Sequence, residues 1–276
     1  MARAGVVGLG MIGGGVALCL ARAGMLEAVY DVRAEAAEGL EGVPPVTATP
    51  AALAERCDTI LIAVVSAEQT IDVLGGPDGI LARSRPGMNI VLLATVSLDD
   101  LEEIRTRTNA AGVGLVDCGV TGGPRVRENG LVCMVGADDA TLAQVRPVLD
   151  GFARSVEHMG PPGAGMAAKI ARNIIVYGCL RAGYEASEVA RAAGVSVAQL
   201  ARVVESSNDS VGGPMMVMGR PADPRSDPAE ARTREGLRSL MVKDLDAALA
   251  LGERLGLTLP LVELTRRTDR EVSGQA

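Results

Sequence analysis

The chain reads as an α/β protein, with a doubly wound parallel sheet over residues 1–162 and an all-α region over 163–276. One long central helix joins them. Three observations predict this. Short apolar runs alternate with capped or amphipathic segments from Ala4 to Met159, the pattern of repeated βαβ units. A glycine-rich turn, Gly8-Leu9-Gly10-Met11-Ile12-Gly13, follows the first apolar run. After Gly160-Pro161-Pro162-Gly163 the strand signals cease, and 276 residues suffice for two domains.

Ala4–Val7 is a short apolar strand, and Val16, Leu18 and Leu20 mark a helix that stops at Gly24. Leu26–Tyr30 is a second strand and ends in Asp31. Thr49 and Pro50 suit the N-cap and first position of a short helix over Ala51–Arg56. Thr59–Val65 is a continuous apolar run, as a strand buried on both faces requires. Ser66 and Gln69 have the spacing of a capping box. Asn89–Thr95 is a strand, and Ser97 caps a helix whose early acids, Asp99, Asp100, Glu102 and Glu103, favour its dipole. Gly114–Val120 and Leu131–Val135 are strands, Asp138–Leu149 is a helix, and Ser155–Met159 is the last strand. The stretch from Gly163 to Ala193 is one helix, apolar on nearly every side (Ile170, Ile174, Ile175, Val176, Leu180, Val189), which predicts a buried spine. A helix over Val197–Val204, a Gly-, Pro- and Met-rich loop at Gly212–Met216 and a polar loop from Arg220 to Pro228 follow it. A helix near Arg234–Leu255 and a last one opened by Pro260 complete the chain.

Composition excludes several functions. A net charge of −7 and a pI near 5.0, without an extended Lys/Arg cluster, argue against nucleic acid as a partner. Hydrophobic residues make up 48% and charged residues 22%, which is the balance of a globular rather than a disordered chain. No apolar run is long enough to span a bilayer, and the glycine-broken N-terminus does not read as a signal peptide, so a cytoplasmic protein is expected. Cys19, Cys57, Cys118, Cys133 and Cys179 stand singly in apolar segments, which predicts buried thiols rather than disulfides or zinc ligands. With His158 as the single histidine, the sequence argues against a His-based triad or a multi-His metal site. There is no Trp and one Phe, so the eleven methionines are expected to fill space that aromatics fill elsewhere.

The glycine-rich turn has the full context of a dinucleotide-binding site: strand, Gly-x-Gly-x-x-Gly, helix, strand, acid. Gly8 permits the tight turn, Gly10 lets the backbone approach a pyrophosphate, and Gly13 lets the helix pack on the sheet. Met11 and Ile12 open the helix whose N-terminus would face the phosphates. Asp31, 18 residues after Gly13, is placed to grip the adenosine ribose. Its charge would repel a 2′-phosphate and favours NAD, while Arg33, just past Val32, partly offsets this and leaves NADP open. Ligands of such sheets sit at the carboxyl ends of the strands, which adds Val64, Val65, Thr95, Thr121, Gly122 and Gly123 to the same edge. Lys169 and Asn173, four residues apart, share one face of the long helix. An amine and a carboxamide there can donate to a substrate oxygen and shuttle its proton. The alternative is a core helix whose lysine buries its stem and keeps its charge in water. The Thr121-Gly122-Gly123 turn offers a hydroxyl and backbone N–H groups, a nest for a carboxylate, where the alternative is an ordinary loop.

Four pieces stand in order: the Gly8–Gly13 turn, Thr121-Gly122-Gly123 after a strand, Gly163-x-Gly165-x-x-x-Lys169-x-x-x-Asn173, and Lys243-Asp244-Leu245. Together they resemble the β-hydroxyacid dehydrogenase family, which includes 3-hydroxyisobutyrate dehydrogenase and tartronate semialdehyde reductase, over nearly the whole chain. The resemblance implies a Rossmann domain binding NAD(P), an all-α substrate and oligomerisation domain, and reversible oxidation of a small 3-hydroxy acid to its semialdehyde or 3-oxo acid. It implies Lys169 as general acid/base, Asn173 orienting the substrate, and Thr121, Gly122 and Gly123 holding the carboxylate. It also puts Lys243 beside the nicotinamide and the substrate, where the alternative is a solvated charge paired with Asp244 or Asp246.

Departures from the pattern carry their own expectations. Thr121 stands where the family usually has Ser, Arg127 where it has a small residue, and Arg172 where it has Asn. Arg125 and Arg127, just after the carboxylate loop, predict a substrate with an extra acidic group unless both point to solvent. Few aromatics suit a small polar substrate, with Met215, Met216 and Met218 as an adaptable wall. An imine reductase shares the fold and fingerprint but usually lacks the lysine. A non-catalytic NAD(H)-binding sensor is a second alternative, and phosphogluconate-type oxidation would need a larger helical domain. The all-α half and the apolar spine predict a homo-oligomer, a dimer or tetramer.

Overall fold

A computed structural model describes residues 3–211 and 228–275, with only the backbone of 208–211. It divides into two compact units, Met1–Arg172 and Asn173–Ala276. The first unit holds seven strands: β1 (Ala4–Val7), β2 (Leu26–Tyr30), β3 (Thr59–Ile62), β4 (Asn89–Leu92), β5 (Gly114–Thr121), β6 (Leu131–Gly136) and β7 (Ala153–Gly160). They form one sheet in the order β2-β1-β3-β4-β5-β6-β7. Every pairing is parallel except that of β5 with β6. The sequence pattern predicts a parallel sheet throughout, and the exception follows from chain length. Only Gly122–Gly130 join β5 to β6, whereas a parallel return needs a crossover of roughly a dozen residues or more.

Helices α1 (Met11–Arg22), α2 (Pro50–Ala54), α3 (Ala67–Leu74), α4 (Leu98–Ala110) and α5 (Asp139–Asp150) cover the sheet. Alternate residues of the central strands feed two cores. Val6, Leu61, Val91 and Val116 pack with Val16 and Leu20 of α1 and Val145 and Leu149 of α5. Val7, Ile60, Ile62, Ile90 and Leu92 pack with Leu53, Leu74, Leu101 and Ile104 of α2, α3 and α4. Helices on both faces explain why β1, β3 and β4 are buried at every position and read as unbroken apolar runs. Four helices start on side-chain caps: Thr49 Oγ1, Ser66 Oγ, Ser97 Oγ and Asp138 Oδ1 accept from the backbone N–H of Ala52, Gln69, Asp100 and Thr141. β3 and β4 end three residues before the limits read from the apolar runs.

Helix α6 (Ala164–Ala192) starts in the first unit and runs on into the second, which continues with α7 (Val197–Val211), α8 (Pro228–Leu255), α9 (Pro260–Arg267) and α10 (Asp269–Val272). Within the second unit the buried Glu185 carboxylate accepts from Arg181 at 2.7 Å and from the backbone N–H of Leu261 and Val262 at 2.9 and 3.3 Å, which fixes the start of α9 on α6. The buried spine predicted for α6 is corrected. Ile174, Tyr177, Leu180 and Tyr184 are 70, 64, 66 and 56% exposed. On the same helix Glu185 and Ala190 are buried, so α6 is covered only in part. Cys179 on the same helix is exposed too, against the expectation of five buried thiols. The residues at 212–227, with Gly212–Met216 and Met218, lie outside the described residues. Among the described residues no helix is long and apolar enough to cross a membrane.

Candidate active site

The first half of the site is the turn after β1. Gly8 has φ +86°, and a Cβ there would stand 2.9 Å from the Ala63 carbonyl oxygen. At Gly13 a Cβ would overlap the Gly8 carbonyl, so helix and turn meet only without side chains. Gly10 is different: a Cβ would meet nothing within 4 Å, leaving open space over the turn. Unlike α2 to α5, α1 has no side-chain cap, and unlike α3 to α5 it has no acid in its first turn. Its first intrahelical bond runs from Gly14 N–H to the Gly10 carbonyl, so the N–H groups of Met11, Ile12 and Gly13 come before any helical acceptor. An uncapped helix start above open space fits a pyrophosphate.

At the end of β2 the Asp31 side chain, 7% exposed, is fixed by three groups. Oδ2 accepts from Leu9 N–H at 2.7 Å, and Oδ1 accepts from the backbone N–H and the Nε of Arg33, both at 3.0 Å. Burial pushes the carboxyl up, but the Arg33 hydrogen bond and the two N–H donors outweigh it and hold Asp31 below the ordinary carboxylate range. A cavity of about 290 Å³ opens beside Gly8, Gly10, Asp31, Val32, Arg33, Val64 and Val65. Val32 and Val65 are exposed there, and so is Met11 at the start of α1, an apolar surface suited to a flat ring.

The second half is built on β5. Asp117, fully buried in the middle of that strand, reaches the start of α6: Oδ1 accepts from Gly163 N–H and Oδ2 from Met166 N–H, each at 2.7 Å. Burial pushes this carboxyl above its ordinary range against the pull of those N–H donors. Two residues on, Gly119 faces the same way, and any Cβ there would overlap Cβ of Lys169. Gly165 is pressed equally closely on the Asp117 and Met134 carbonyls. The helix thus lies directly on the strand, and Lys169 Nζ donates to the Val120 carbonyl at 2.6 Å. Burial, and then the like charge of Arg172, lowers the Lys169 pKa.

Around this amine is a cavity of about 650 Å³ lined by Ile12, Val64, Val65, Thr95, Thr121, Gly122, Gly123, Lys169 and Arg172. It shares Val64 and Val65 with the cavity at Asp31, so one groove edge joins the two. Gly122 has φ +95°, which turns the chain from β5 into a short 3₁₀ segment. Asn173 follows Lys169 by one turn on α6 and is the first residue of the second unit. Lys243 belongs to the second unit, on α8, where its exposed ammonium pairs with Asp244 at 3.2 Å. Arg125 and Arg127 are not among the residues lining the cavity. The 3₁₀ segment Gly123–Glu128 carries them outward: Arg125 pairs with Glu128 at 3.2 Å, and the exposed Arg127 gives its carbonyl to Arg22.

Sequence reasoning missed Asp117 and Gly119. A signal was present, since an acid inside the apolar run Gly114–Val120 has to be hydrogen-bonded if that run is a buried strand.

Residues 3–160 match the family described as the NAD-binding domain of 6-phosphogluconate dehydrogenase. Residues 163–275 match the one described as NAD-binding of NADP-dependent 3-hydroxyisobutyrate dehydrogenase. The chain belongs to the β-hydroxyacid dehydrogenase family. This dehydrogenase is 32% identical to an L-threonate dehydrogenase of Escherichia coli over 207 residues, 74% of this chain and 68% of the relative. The structure of a candidate oxidoreductase from Mycobacterium avium superposes with a TM-score of 0.88 at 31% identity, covering 99% of each chain. That of Mycobacterium tuberculosis 3-hydroxyisobutyrate dehydrogenase, solved with L-serine, gives 0.69 at 27% identity, covering 98% of this chain and 93% of the other. An imine reductase from Pseudomonas shares the fold, with a TM-score of 0.79 at 20% identity. This β-hydroxyacid dehydrogenase is therefore an NAD(P)-dependent oxidoreductase acting on CH–OH groups, and the uncapped start of α1 suits the cofactor's pyrophosphate.

Proposed function

We propose that the enzyme interconverts a small 3-hydroxy carboxylic acid and its semialdehyde or 3-oxo acid, with Lys169 as the general acid/base. The observation that carries this reading is the half-buried Lys169 amine, fixed on the Val120 carbonyl inside the cavity that also contains the Thr121-Gly122-Gly123 turn. A neutral amine has two protons and a lone pair. One N–H stays on Val120, so the lone pair can be aimed at the substrate hydroxyl and take its proton. In the reverse direction the ammonium returns the proton to the new alkoxide. Burial, and then Arg172, lowers the pKa of this amine, which favours the neutral form that accepts the proton. The Thr121 hydroxyl and the N–H groups of Gly122 and Gly123 hold the substrate carboxylate. Bound NAD(P) supplies the hydride acceptor or donor.

The resemblance adds Asn173, one turn along α6, as the group orienting the substrate, and Lys243 as a contact of nicotinamide and substrate. The functional division is placed at 162/163. NAD is the preferred form, because Asp31 presents a negative charge where a 2′-phosphate would lie. The lysine also sets this reading apart from an imine reductase. The test is NAD reduction over a panel of small hydroxy acids by the wild type and Lys169→Ala. Turnover lost in the variant with NADH affinity kept supports the reading, and NADH binding without turnover of any acid by the wild type supports a sensor.

A further inference from the structure

One stripe of α1 faces the segment that follows the Thr121-Gly122-Gly123 turn. Ile12, Gly15, Cys19 and Arg22 recur at spacings of three and four, so they share one side of the helix. Ile12 Cδ1 lies 3.3 Å from where a Cβ of Gly123 would stand. Gly15 meets the buried Val126: a Cβ on Gly15 would come within 2.4 and 2.7 Å of the two Val126 methyls and 3.0 Å of its Cβ. Cys19 Sγ donates to the Val126 carbonyl at 3.2 Å. Arg22 Nη2 donates to the Arg127 carbonyl at 2.6 Å and to Asn129 Oδ1 at 3.1 Å. Asn129, with φ +56°, in turn donates from Nδ2 to the Gly151 carbonyl at 2.9 Å.

Gly15 is not one of the three glycines of the fingerprint, and inside a helix glycine is unfavourable relative to alanine. Val126 supplies the reason for it, because only a helix without a side chain at that position lets the segment approach so closely. The rest of α1 is fixed elsewhere: Val16 and Leu20 pack in the core, and Gly13 is pressed on the Gly8 carbonyl. A group added at Gly15 therefore moves the segment and not the helix. The helix that offers its uncapped start to a pyrophosphate is thus also the seat of the Thr121–Gly123 turn.

We propose that Gly15 is a positioning residue for the substrate: with Val126 and Arg22 it sets the Thr121–Gly123 turn against the cofactor helix, and so fixes where the substrate carboxylate is held. This rests on reading that turn as the seat of the carboxylate. Gly15→Ala favours the helix itself but drives Val126, and the turn with it, away from α1. Two measurements on the full-length enzyme read the effect. One is KM and kcat for the hydroxy acid with the highest turnover. The other is calorimetric binding, with saturating NADH, of propionate, which has no hydroxyl to oxidise. Gly15→Ala is expected to raise KM and weaken propionate by about tenfold or more, with kcat kept within about threefold and NADH affinity within about twofold. A merely damaged fold would lower kcat and leave KM unchanged. Adding Val126→Ala removes the two methyls and returns KM to within about threefold of the wild type. Arg22→Met, at the exposed end of the stripe, raises KM by about threefold. Unchanged KM and propionate affinity in a folded Gly15→Ala overturn the proposal, and so does a failure of Val126→Ala to restore them. A loss of NADH affinity equal to that of propionate overturns it too, since the fault then lies in α1. If Gly15→Ala does not fold, an unchanged KM in Arg22→Met overturns it. Any of these results together with hydroxy-acid turnover by the wild type leaves the dehydrogenase reading standing. A wild type that neither binds propionate nor oxidises any hydroxy acid removes both.

Discussion

Lys169 shows how one residue is tuned by its surroundings. Burial comes first and Arg172 second, and both disfavour the ammonium. If Lys169 is the base, kcat/KM for alcohol oxidation falls as pH drops through its lowered pKa, because the protonated amine has no lone pair to offer. Removing the neighbouring charge in Arg172→Gln raises that pKa, so the acid limb of the pH–rate profile moves to higher pH. A limb that stays in place would show that another group titrates. Asp31 carries a second prediction. Asp31→Asn removes the charge and keeps an oxygen for Leu9 N–H, so kcat/KM for NADP relative to NAD rises by about tenfold or more, and an unchanged ratio would count against the assignment of Asp31 to the ribose. Gly8, Gly10, Gly13 and Asp31 were legible because their spacing along the chain is itself the chemistry. The cavity place of Arg172 was not, since it depends on which face of α6 meets β5. For Arg125 and Arg127 the sequence left two places open, the pocket and solvent, and they stand outside the cavity lining because the 3₁₀ segment after Gly122 carries them outward.

At the scale of elements, β5 sets the position of α6. Asp117 satisfies two N–H groups at the start of the helix, Gly119 makes room for Lys169, and Val120 holds its amine. Asp117→Asn puts an NH₂ group against one of those N–H donors. The expected cost is about 2 kcal/mol of stability, from a lost charge-assisted bond and an unsatisfied donor, read as a lower denaturation midpoint. A fall in kcat is expected with it, and a variant with wild-type stability and kcat would show that Asp117 does not set the lysine. The caps at Thr49, Ser66, Ser97 and Asp138 were legible from residue type and spacing. The antiparallel turn of β6 was not, because its apolar run looks the same in either direction. Only the shortness of the link after β5 betrays it.

At the scale of the whole molecule, the alternation of strands and helices and its end at Gly163 gave the architecture, while the burial of α6 was misjudged. An all-round apolar helix has to be covered, but the pattern does not say by what. Ile174, Tyr177, Leu180 and Tyr184 form an exposed stripe on it, more apolar than a solitary subunit usually leaves to water. A dimer or larger homo-oligomer through this stripe is the expected state, and sedimentation should show Leu180→Lys shifted toward monomer. A wild type that sediments as a clean monomer would contradict this. The central claim concerns the lysine, and one measurement tests it most directly: the rate of NAD reduction by Lys169→Ala with the best hydroxy acid, alongside its NADH affinity. The account predicts a loss of about 10²–10⁴-fold in kcat with NADH affinity unchanged. A variant that turns over within a few-fold of the wild type would contradict it.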